Sequence, residues 1–368
     1  MKQEKIGRRR SKLVCMTAFT LLVAATRSFA QTVPLSNYTM VDASDGATYS
    51  GVLVGGNPFG ATAPFSIDAV LIPMIIDVLQ PDGTIVAFDP TAPNSCDPEG
   101  LPVVYRFQQS PLVVATDLKF NGVDVGKAQY IDGFMRAQFW NAPHHNRSSY
   151  TNHLNWSFPS AIAFPVLDSR NSVIQNPGTC NEVAVILGDV FNSWIETYFI
   201  PELQKAKVIS PTQFAFFLTK NVVTANTLSP VTGIKGGAHR SVGSPAQTWA
   251  RAASGGDINT ASHEIAEWMN DPFLTNKAPS WGYIGEDKTG CSRAVEVGDP
   301  TNGTRAPSIS TDLVYYYNPQ ELTFFSWFFT PDGAPSSGAG GKFSSNGKFT
   351  GPSKLCNSLD PSSGGTYK

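Results

Sequence analysis

Residues 257–272 read DINTASHEIAEWMNDP, and this stretch decides how the rest of the sequence is interpreted. Its apolar residues recur at spacings of three and four, the period of an amphipathic helix: Ile258, Ala261, Ile265, Trp268 and Met269. His263 and Glu267 are four residues apart and therefore share the opposite face. The stretch predicts a helix that presents an imidazole and a carboxylate side by side.

This HExxE spacing matches the HExxH arrangement of zinc enzymes, with glutamate in place of the second histidine. Positions i and i+4 suit two ligands of one ion, and zinc accepts carboxylate oxygen as well as imidazole nitrogen. Glu264, beside the first ligand, is then predicted to take a proton from water activated by the metal. A short pattern of this kind also arises by chance, so a solvated helix face opposite a core stripe is the competing interpretation.

A second acidic cluster, Glu296-Val-Gly-Asp299, follows the predicted helix. A catalytic zinc takes three protein ligands and keeps a fourth position open, so either Glu296 or Asp299 is predicted as the third ligand. His239 precedes the helix, in Gly236-Gly-Ala-His-Arg240. It is predicted either to donate to an oxyanion or complete the metal site, or to be an exposed loop histidine with neither role.

Other polar and aromatic residues are weaker candidates. Asp271 lies near the ligand face, but Pro272 after it favours a helix-end or turn residue. The remaining histidines, His144, His145 and His153, are expected on the surface. The side chains of Tyr315, Tyr316 and Tyr317 are expected to pack in a strand.

The combined motifs resemble a known family. HEIAE, Asp271-Pro272, Trp281 and Glu296-Val-Gly-Asp299 are similar to the HE(L/I)AE, DP, W and E-(I/V)-G-D series of a secreted zincin-like metallopeptidase family. Plant phosphate-induced, exordium-like proteins share a similar segment, and the blocks at 126–140 and 319–328 resemble those of bacterial and fungal secreted relatives.

The resemblance spans roughly residues 110–356 and implies a zincin-like α+β fold with metallopeptidase activity. It implies that an edge strand near 214–223 lines the cleft and that the HExxE helix forms its floor. Relatives place a cysteine directly after E-x-G-D-x, whereas here Pro300 follows Asp299 and the nearest cysteine is Cys291. The local disulfide of the family is therefore not carried over.

The first 30 residues have the features of a secretory signal peptide. A basic start precedes the apolar stretch 13–25, and Ser28-Phe29-Ala30 forms a cleavage site. The apolar stretch is shorter than the ~20 residues that span a bilayer. We therefore expect a secreted chain, extracellular or periplasmic, with no membrane contact once residues 1–30 are removed.

Composition indicates a loop-rich globular protein. Charged residues make up 15% and hydrophobic residues 41% of the 368 residues, which excludes a disordered charged tail or a coiled coil. Without residues 1–30 the chain has 20 basic and 28 acidic residues, a net charge of −8, so no nucleic-acid partner is expected. Among three possible pairings of the four later cysteines, sequence proximity favours Cys96–Cys180 and Cys291–Cys356.

Hydrophobic patterning predicts a β-rich N-terminal region, 31–165, followed by a zincin-like catalytic region, 166–368, or one continuous domain. Strands are predicted at 69–79, 101–107, 112–114, 214–223 and 248–252, a polar loop at 141–157, and an amphipathic helix at 183–207 that Pro201 interrupts. The helix at 257–272 is expected to end at Pro272 and to be capped by Asp257, Asn259 or Thr260.

These observations predict a secreted zinc peptidase that acts on protein or peptide substrates. Zn²⁺ is held by His263, Glu267 and one acid from Glu296 or Asp299, while Glu264 is the general base and His239 assists. The alternative is a non-catalytic extracellular or cell-wall-associated module, favoured by the missing second histidine. Structural calcium is a third option, which a histidine in the ligand set disfavours.

Overall fold

The computed structural model describes residues 32–42, 46–60, 64–143, 147, 150–282, 291–330 and 334–348. In these parts of the chain the strands are β1 (Leu35–Val41), β2 (Thr48–Val54), β3 (Phe65–Leu79), β4 (Ile85–Phe88), β5 (Thr116–Phe120), β6 (Val123–Ala128), β7 (Asn152–Ser157), β8 (Ile162–Ala163), β9 (Ser172–Gln175), β10 (Val183–Leu187), β11 (Phe214–Lys220), β12 (Val222–Ala225), β13 (Thr227–Leu228), β14 (Val231–Thr232), β15 (Gly237–Val242), β16 (Gln247–Ser254), β17 (Lys277–Gly282) and β18 (Cys291–Ala294). The α-helices are α1 (Val103–Gln109), α2 (Tyr130–Gln138), α3 (Gly188–Trp194), α4 (Ile200–Lys205), α5 (Asn259–Asn270) and α6 (Phe325–Phe329).

The largest sheet has seven strands and is built around β3. Its order is β15-β16-β11-β3-β4, and β7 and β8 also pair with β3. β11 is parallel to both β3 and β16, whereas β15 is antiparallel to β16. Strands from both sides of residue 165 therefore share one sheet, and residues Gln31–Lys368 form one compact unit.

Alternate residues of the central strands face two hydrophobic cores, as the period of two along a strand requires. On one face Phe214 packs with α2 and α5, and Trp268 stacks on it with ring centroids 3.7 Å apart. On the other face Phe217 packs with Phe191 of α3 and with Ile195. Helices thus cover both faces of the sheet. The apolar face of α5 that the sequence predicted packs against one of these two faces.

The zincin-like fold implied by the resemblance was wrong. The described residues are β-rich, with 36% strand and 19% helix, and their strands are distributed over six sheets in both halves of the chain. Only the coarser α+β description is compatible with this architecture. The strand expected at an edge, 214–223, begins with β11, which lies inside the sheet because its apolar residues are buried on both faces.

Local predictions had mixed outcomes. The strands at 69–79 and 248–252 are confirmed as parts of β3 and β16. The strand at 101–107 was wrong: α1 lies there, and its buried residues Val103, Arg106 and Phe107 recur at helical spacing. Residues 112–114 form a turn, and the loop at 141–157 ends in β7.

The predicted helix at 183–207 begins as strand β10 and becomes helical at Gly188. A π-helical turn, Ile195–Phe199, then joins α3 to α4. Pro201 is the second residue of α4, and helical dihedrals continue into this helix from Trp194 through Phe199 and Ile200. The helix therefore does not restart at Pro201, and the irregularity next to it is the π-helical turn directly before α4.

Asn276 joins the N-terminal hairpin β1–β2 to the end of α5. Its side-chain nitrogen donates to the carbonyls of Val52 and Asn270, each at 2.6 Å, and its side-chain oxygen accepts from the Val52 N–H at 3.0 Å. One buried amide therefore satisfies backbone groups of two distant segments.

One of the two predicted disulfides is confirmed. Cys96 and Cys180 are bonded across a sequence separation of 84 residues. Cys356 of the predicted Cys291–Cys356 pair and the signal peptide at 1–30 lie outside the described residues. Within the described part of the chain, no helix has both the length and the apolar character needed to cross a membrane. A disulfide is compatible with an extracellular location.

A buried ion pair stabilises the start of α1. Arg106 donates to both carboxylate oxygens of Asp97, at 2.7 and 2.8 Å, and its guanidinium lies 3.9 Å from the ring centroid of Tyr315. Hydrogen bonding from Arg106 lowers the pKa of Asp97 to about 2 although burial opposes this shift. The folded protein therefore prefers the ionised carboxylate.

This ion pair predicts acid sensitivity. A carboxyl whose folded pKa is depressed stabilises the protein above its unfolded pKa, here 3.8, and that stability is lost as the pH falls towards 2. We expect Asp97 to account for about 2 kcal/mol of the stability lost over this range. Urea unfolding at pH 5 and pH 2.5 tests this, because Asp97→Asn should be less stable at pH 5 and lose less on acidification. Asp117→Asn, which removes an exposed carboxylate on β5, is the control. Equal acid sensitivity in wild type and Asp97→Asn would contradict the prediction.

Candidate metal centre

Helix α5 carries three of the predicted site residues, His263, Glu264 and Glu267. The predicted helix is confirmed and ends at Asn270, two residues before Pro272. The predicted side-chain cap was wrong, because no side chain caps the N-terminus. Asp257 instead accepts hydrogen bonds from the N–H groups of Ile258 and Asn318, both at 2.8 Å. Its carboxylate thus joins the helix start to the segment that follows Asp299.

The first group of candidate metal ligands contains His263, Glu267 and Asp299, whose ligand atoms all lie within 4.8 Å of one another. His263 Nε2 lies 3.0 Å from Glu267 Oε2 and 3.6 Å from Asp299 Oδ1. Ligand atoms of a tetrahedral zinc lie about 3.3 Å apart, given bonds of ~2.0 to 2.1 Å. The side chain of Asp299 is 24% exposed, so this group borders solvent.

The second group contains His239, Glu264 and Glu267, and it shares Glu267 with the first. His239 Nδ1 lies 3.6 Å from Glu264 Oε2 and 3.4 Å from Glu267 Oε2. His239 belongs to strand β15 and is buried, so the prediction of an exposed loop histidine was wrong. It faces α5 from the neighbouring sheet edge.

Glu296 lies on the His239 side of the cluster. Its Oε2 is 3.7 Å from His239 Nε2, is buried, and has no hydrogen-bond partner among the described residues. Of the two acids predicted as the third ligand, the structure groups Asp299 with His263 and Glu267, and places Glu296 beside His239.

Two glycines make room for the functional side chains. A Cβ on Gly237 of β15 would lie 2.3 Å from Glu264 Oε1, and a Cβ on Gly298 would lie 2.6 Å from His263 Nδ1. Both distances are far below van der Waals contact, so neither position accepts a side chain without displacing a site residue. Gly237 and Gly298 are thus required by close packing at the site.

The cluster's charges perturb one another strongly. Burial disfavours the charged form of both imidazoles, but nearby carboxylates outweigh this effect. The pKa of His239 is raised well above 6.5, chiefly by Glu296, and the pKa of His263 is raised well above 6.5, chiefly by Glu267. Burial raises the pKa of Glu296, and the Glu267 charge raises it further. Burial would raise the pKa of Glu267 too, but His263 and His239 lower it below its usual value.

A divalent cation fits this cluster. Carboxylates outnumber imidazoles in each of the two groups of candidate ligands. A cation in the first group would compensate the excess negative charge and would replace the proton that His263 otherwise holds. Mixed nitrogen and oxygen donors suit zinc, whereas hard cations such as calcium prefer oxygen alone.

The weaker candidates are accounted for by packing or exposure. The Asp271 carboxylate accepts from the N–H groups of Thr275 and Asn276, which confirms the predicted turn role, and burial raises its pKa to about 6. His153 is exposed on β7, and Tyr317 is buried. His144 and His145 lie outside the described residues.

Gln320 is a site residue that the sequence interpretation missed. Its Oε1 lies 3.0 Å from His263 Nδ1, although the two residues are 57 positions apart. Glutamine carries no charge or motif signal of its own, and it belongs to the 319–328 block, which was noted only for its resemblance to relatives.

Comparison with known proteins adds no assignment. No protein-family model matches this sequence, and neither a curated protein nor a solved structure matches it. The resemblance based on the HEIAE block therefore stays a prediction, and the geometry of the cluster is what supports a function.

Proposed function

We propose that this protein is a zinc-dependent peptidase in which His263, Glu267 and Asp299 hold the ion. The observation that carries the proposal is the convergence of His263 Nε2 with a carboxylate oxygen from each acid, at 3.0 and 3.6 Å. This group borders solvent, as a catalytic zinc with an open fourth position requires, whereas His239, Glu264 and Glu267 are buried.

The chemistry that zinc supplies when bound is polarisation of a carbonyl and a lower pKa for water. Glu264, next to the ligand His263, takes the proton of the attacking water and passes it to the leaving amine as the peptide bond breaks. His239 Nδ1, 3.6 Å from Glu264 Oε2, orients that carboxylate and provides positive charge beside the oxyanion as it forms.

The charge of the three metal ligands also affects the expected rate of peptide hydrolysis. Two carboxylates and one imidazole place more negative charge on the ion than two imidazoles and one carboxylate. The ion is then a weaker Lewis acid, so we expect slow or selective cleavage of protein or peptide substrates. The disulfide between Cys96 and Cys180 supports secretion as the setting in which this activity operates.

Loss of single ligands tests the metal site directly. His263→Ala and Asp299→Asn should each weaken zinc binding by more than the about 10- to 100-fold that loss of a supporting residue costs. Glu296→Gln should change it little, and His153→Ala, an exposed histidine on β7, is the matched control. Competition with a chromogenic zinc chelator measures affinity, and chelator-treated protein should lose peptidase activity until zinc is restored. If Glu296→Gln weakens binding and Asp299→Asn does not, the ligand assignment is wrong.

A non-catalytic extracellular module is the second candidate. The observation that favours it is that ion pairs within the cluster, such as His263–Glu267 at 3.0 Å, balance much of its charge without an ion. Zinc content and cleavage of general protein substrates separate the two candidates, because a module of this kind shows no turnover that chelator removes.

A further inference from the structure

Gly298 and Gln320 together contact Glu267 and His263, the two α5 residues that the proposed function assigns to the metal. Gly298 donates its N–H to Glu267 Oε1 at 3.2 Å, and its carbonyl accepts from Gln320 Nε2. Gln320 Oε1 in turn lies 3.0 Å from His263 Nδ1. The backbone of Gly298 and the side chain of Gln320 thus connect Glu267 Oε1 to His263 Nδ1.

These contacts fix which atoms remain for a metal. A carbonyl oxygen only accepts, so the Gln320 amide nitrogen must face Gly298, and its oxygen must face the imidazole. The His263 Nδ1 atom must then donate, which leaves Nε2 as the free lone pair of the neutral ring. In the same way, the Gly298 N–H occupies Glu267 Oε1 and leaves Oε2 facing His263 Nε2.

The orienting residues are themselves held rigidly. Gln320 is 2% exposed, and its backbone N–H donates to Ser262 Oγ at 2.9 Å. Gly298 is buried and has φ −85° and ψ −32°, a conformation that any residue adopts. A glycine is therefore needed here because a Cβ would clash with the His263 ring, and not because of the backbone conformation.

We propose that Gln320 and Gly298 are positioning residues for the metal: Gln320 selects the Nδ1–H tautomer of His263, and Gly298 orients Glu267 Oε2 and gives the His263 ring its place. This inference rests on the proposed function, because it concerns the same ion. Residues that orient metal ligands in this way contribute about 10- to 100-fold to affinity.

The test is zinc affinity in Gln320 variants. Gln320→Met removes both polar atoms at similar volume and should weaken zinc binding about 10- to 100-fold. Gln320→Glu retains an acceptor for Nδ1–H but loses the donor to the Gly298 carbonyl, so its zinc affinity should lie between those of Gln320→Met and wild type. Gln247→Met is the matched control: this buried side chain also donates to a backbone carbonyl, that of Gln213 at 2.7 Å, and its loss should lower stability without changing zinc affinity.

A second variant tests the role of Gly298. Gly298→Ala should weaken zinc binding because its Cβ displaces the His263 ring, whereas Gly60→Ala, where the nearest atom is 3.6 Å away, should not. Nitrogen-15 NMR of the zinc-loaded protein provides a readout besides affinity: Nδ1 of His263 should be protonated in wild type and Gln320→Glu.

The outcomes separate this inference from the proposed function. If wild type binds zinc in a His263-dependent manner but Gln320→Met binds it within about twofold of wild type, the positioning role is overturned and the metal site stands. Equal weakening by Gln320→Met and Gln320→Glu also overturns the role. If wild type binds no zinc, both the metal site and the positioning role are overturned.

Discussion

Replacement of Glu264 by glutamine is expected to slow peptide hydrolysis by about 10²- to 10⁴-fold, with zinc still bound at about one ion per chain. Glutamine preserves the shape of the side chain between Gly237 and His239 but does not accept the proton of the attacking water. Because Glu264 is not one of the three assigned ligands, the loss should appear in kcat and not in metal content. Initial rates on a protein substrate, with zinc measured by atomic absorption, give both quantities.

The matched control for this variant is Glu202→Gln. Glu202 is exposed on α4 and pairs with Lys205 at 3.5 Å, so the activity of this variant should equal that of wild type. If Glu264→Gln retains wild-type activity, Glu264 is not the base. If the Glu264→Gln variant instead loses zinc, Glu264 is a metal ligand together with His239, as in the second group of candidate ligands.

Loss of the Cys96–Cys180 disulfide should lower the free energy of unfolding by about 4 to 5 kcal/mol. The bond closes a loop of 84 residues, and the chain-entropy relation assigns this magnitude to a loop of that length, because the cross-link restricts the unfolded chain. The variant carrying both Cys96→Ser and Cys180→Ser therefore unfolds at a much lower urea concentration. Urea titration followed by tryptophan fluorescence measures the difference.

Two comparisons sharpen this stability measurement. Wild type in dithiothreitol should behave like the double variant, since both lack the cross-link. The single variant Cys96→Ser should match the double variant, which shows that the effect comes from the bond and not from either side chain. A double variant within about 1 kcal/mol of oxidised wild type would contradict the entropic account.

The sequence predicted those elements whose own residues determine their structure. Helix α5 has an unambiguous helical period, and β3 is a long apolar run of β-branched residues, so both were found. The helix α1 was missed because a short apolar run does not distinguish strand from helix, and the partner that buries Arg106 is Asp97 in the preceding loop. The zincin-like fold failed for a different reason, since short motifs specify a local site and not a sheet topology.

The candidate site was predicted only in part. The residues His263, Glu264 and Glu267 could be grouped because one helix carries them, and Asp299 and Glu296 were recognised as nearby acids by motif. The environment of His239 could not be predicted, because it depends on β15 pairing with β16 and lying beside α5. Gln320 reaches the site through long-range packing, for which a single sequence contains no signal.

The Asn276 contact has a consequence for biosynthesis. Ribosomes deliver the N-terminal hairpin first, yet the amide that completes the hydrogen bonds of Val52 is encoded 224 residues later. At translation rates of about 5–20 residues per second, the nascent hairpin waits roughly ten seconds or longer for that amide. This corner of the molecule is therefore completed after most of the polypeptide has been made, and a fragment that stops short of Asn276 leaves it unfinished.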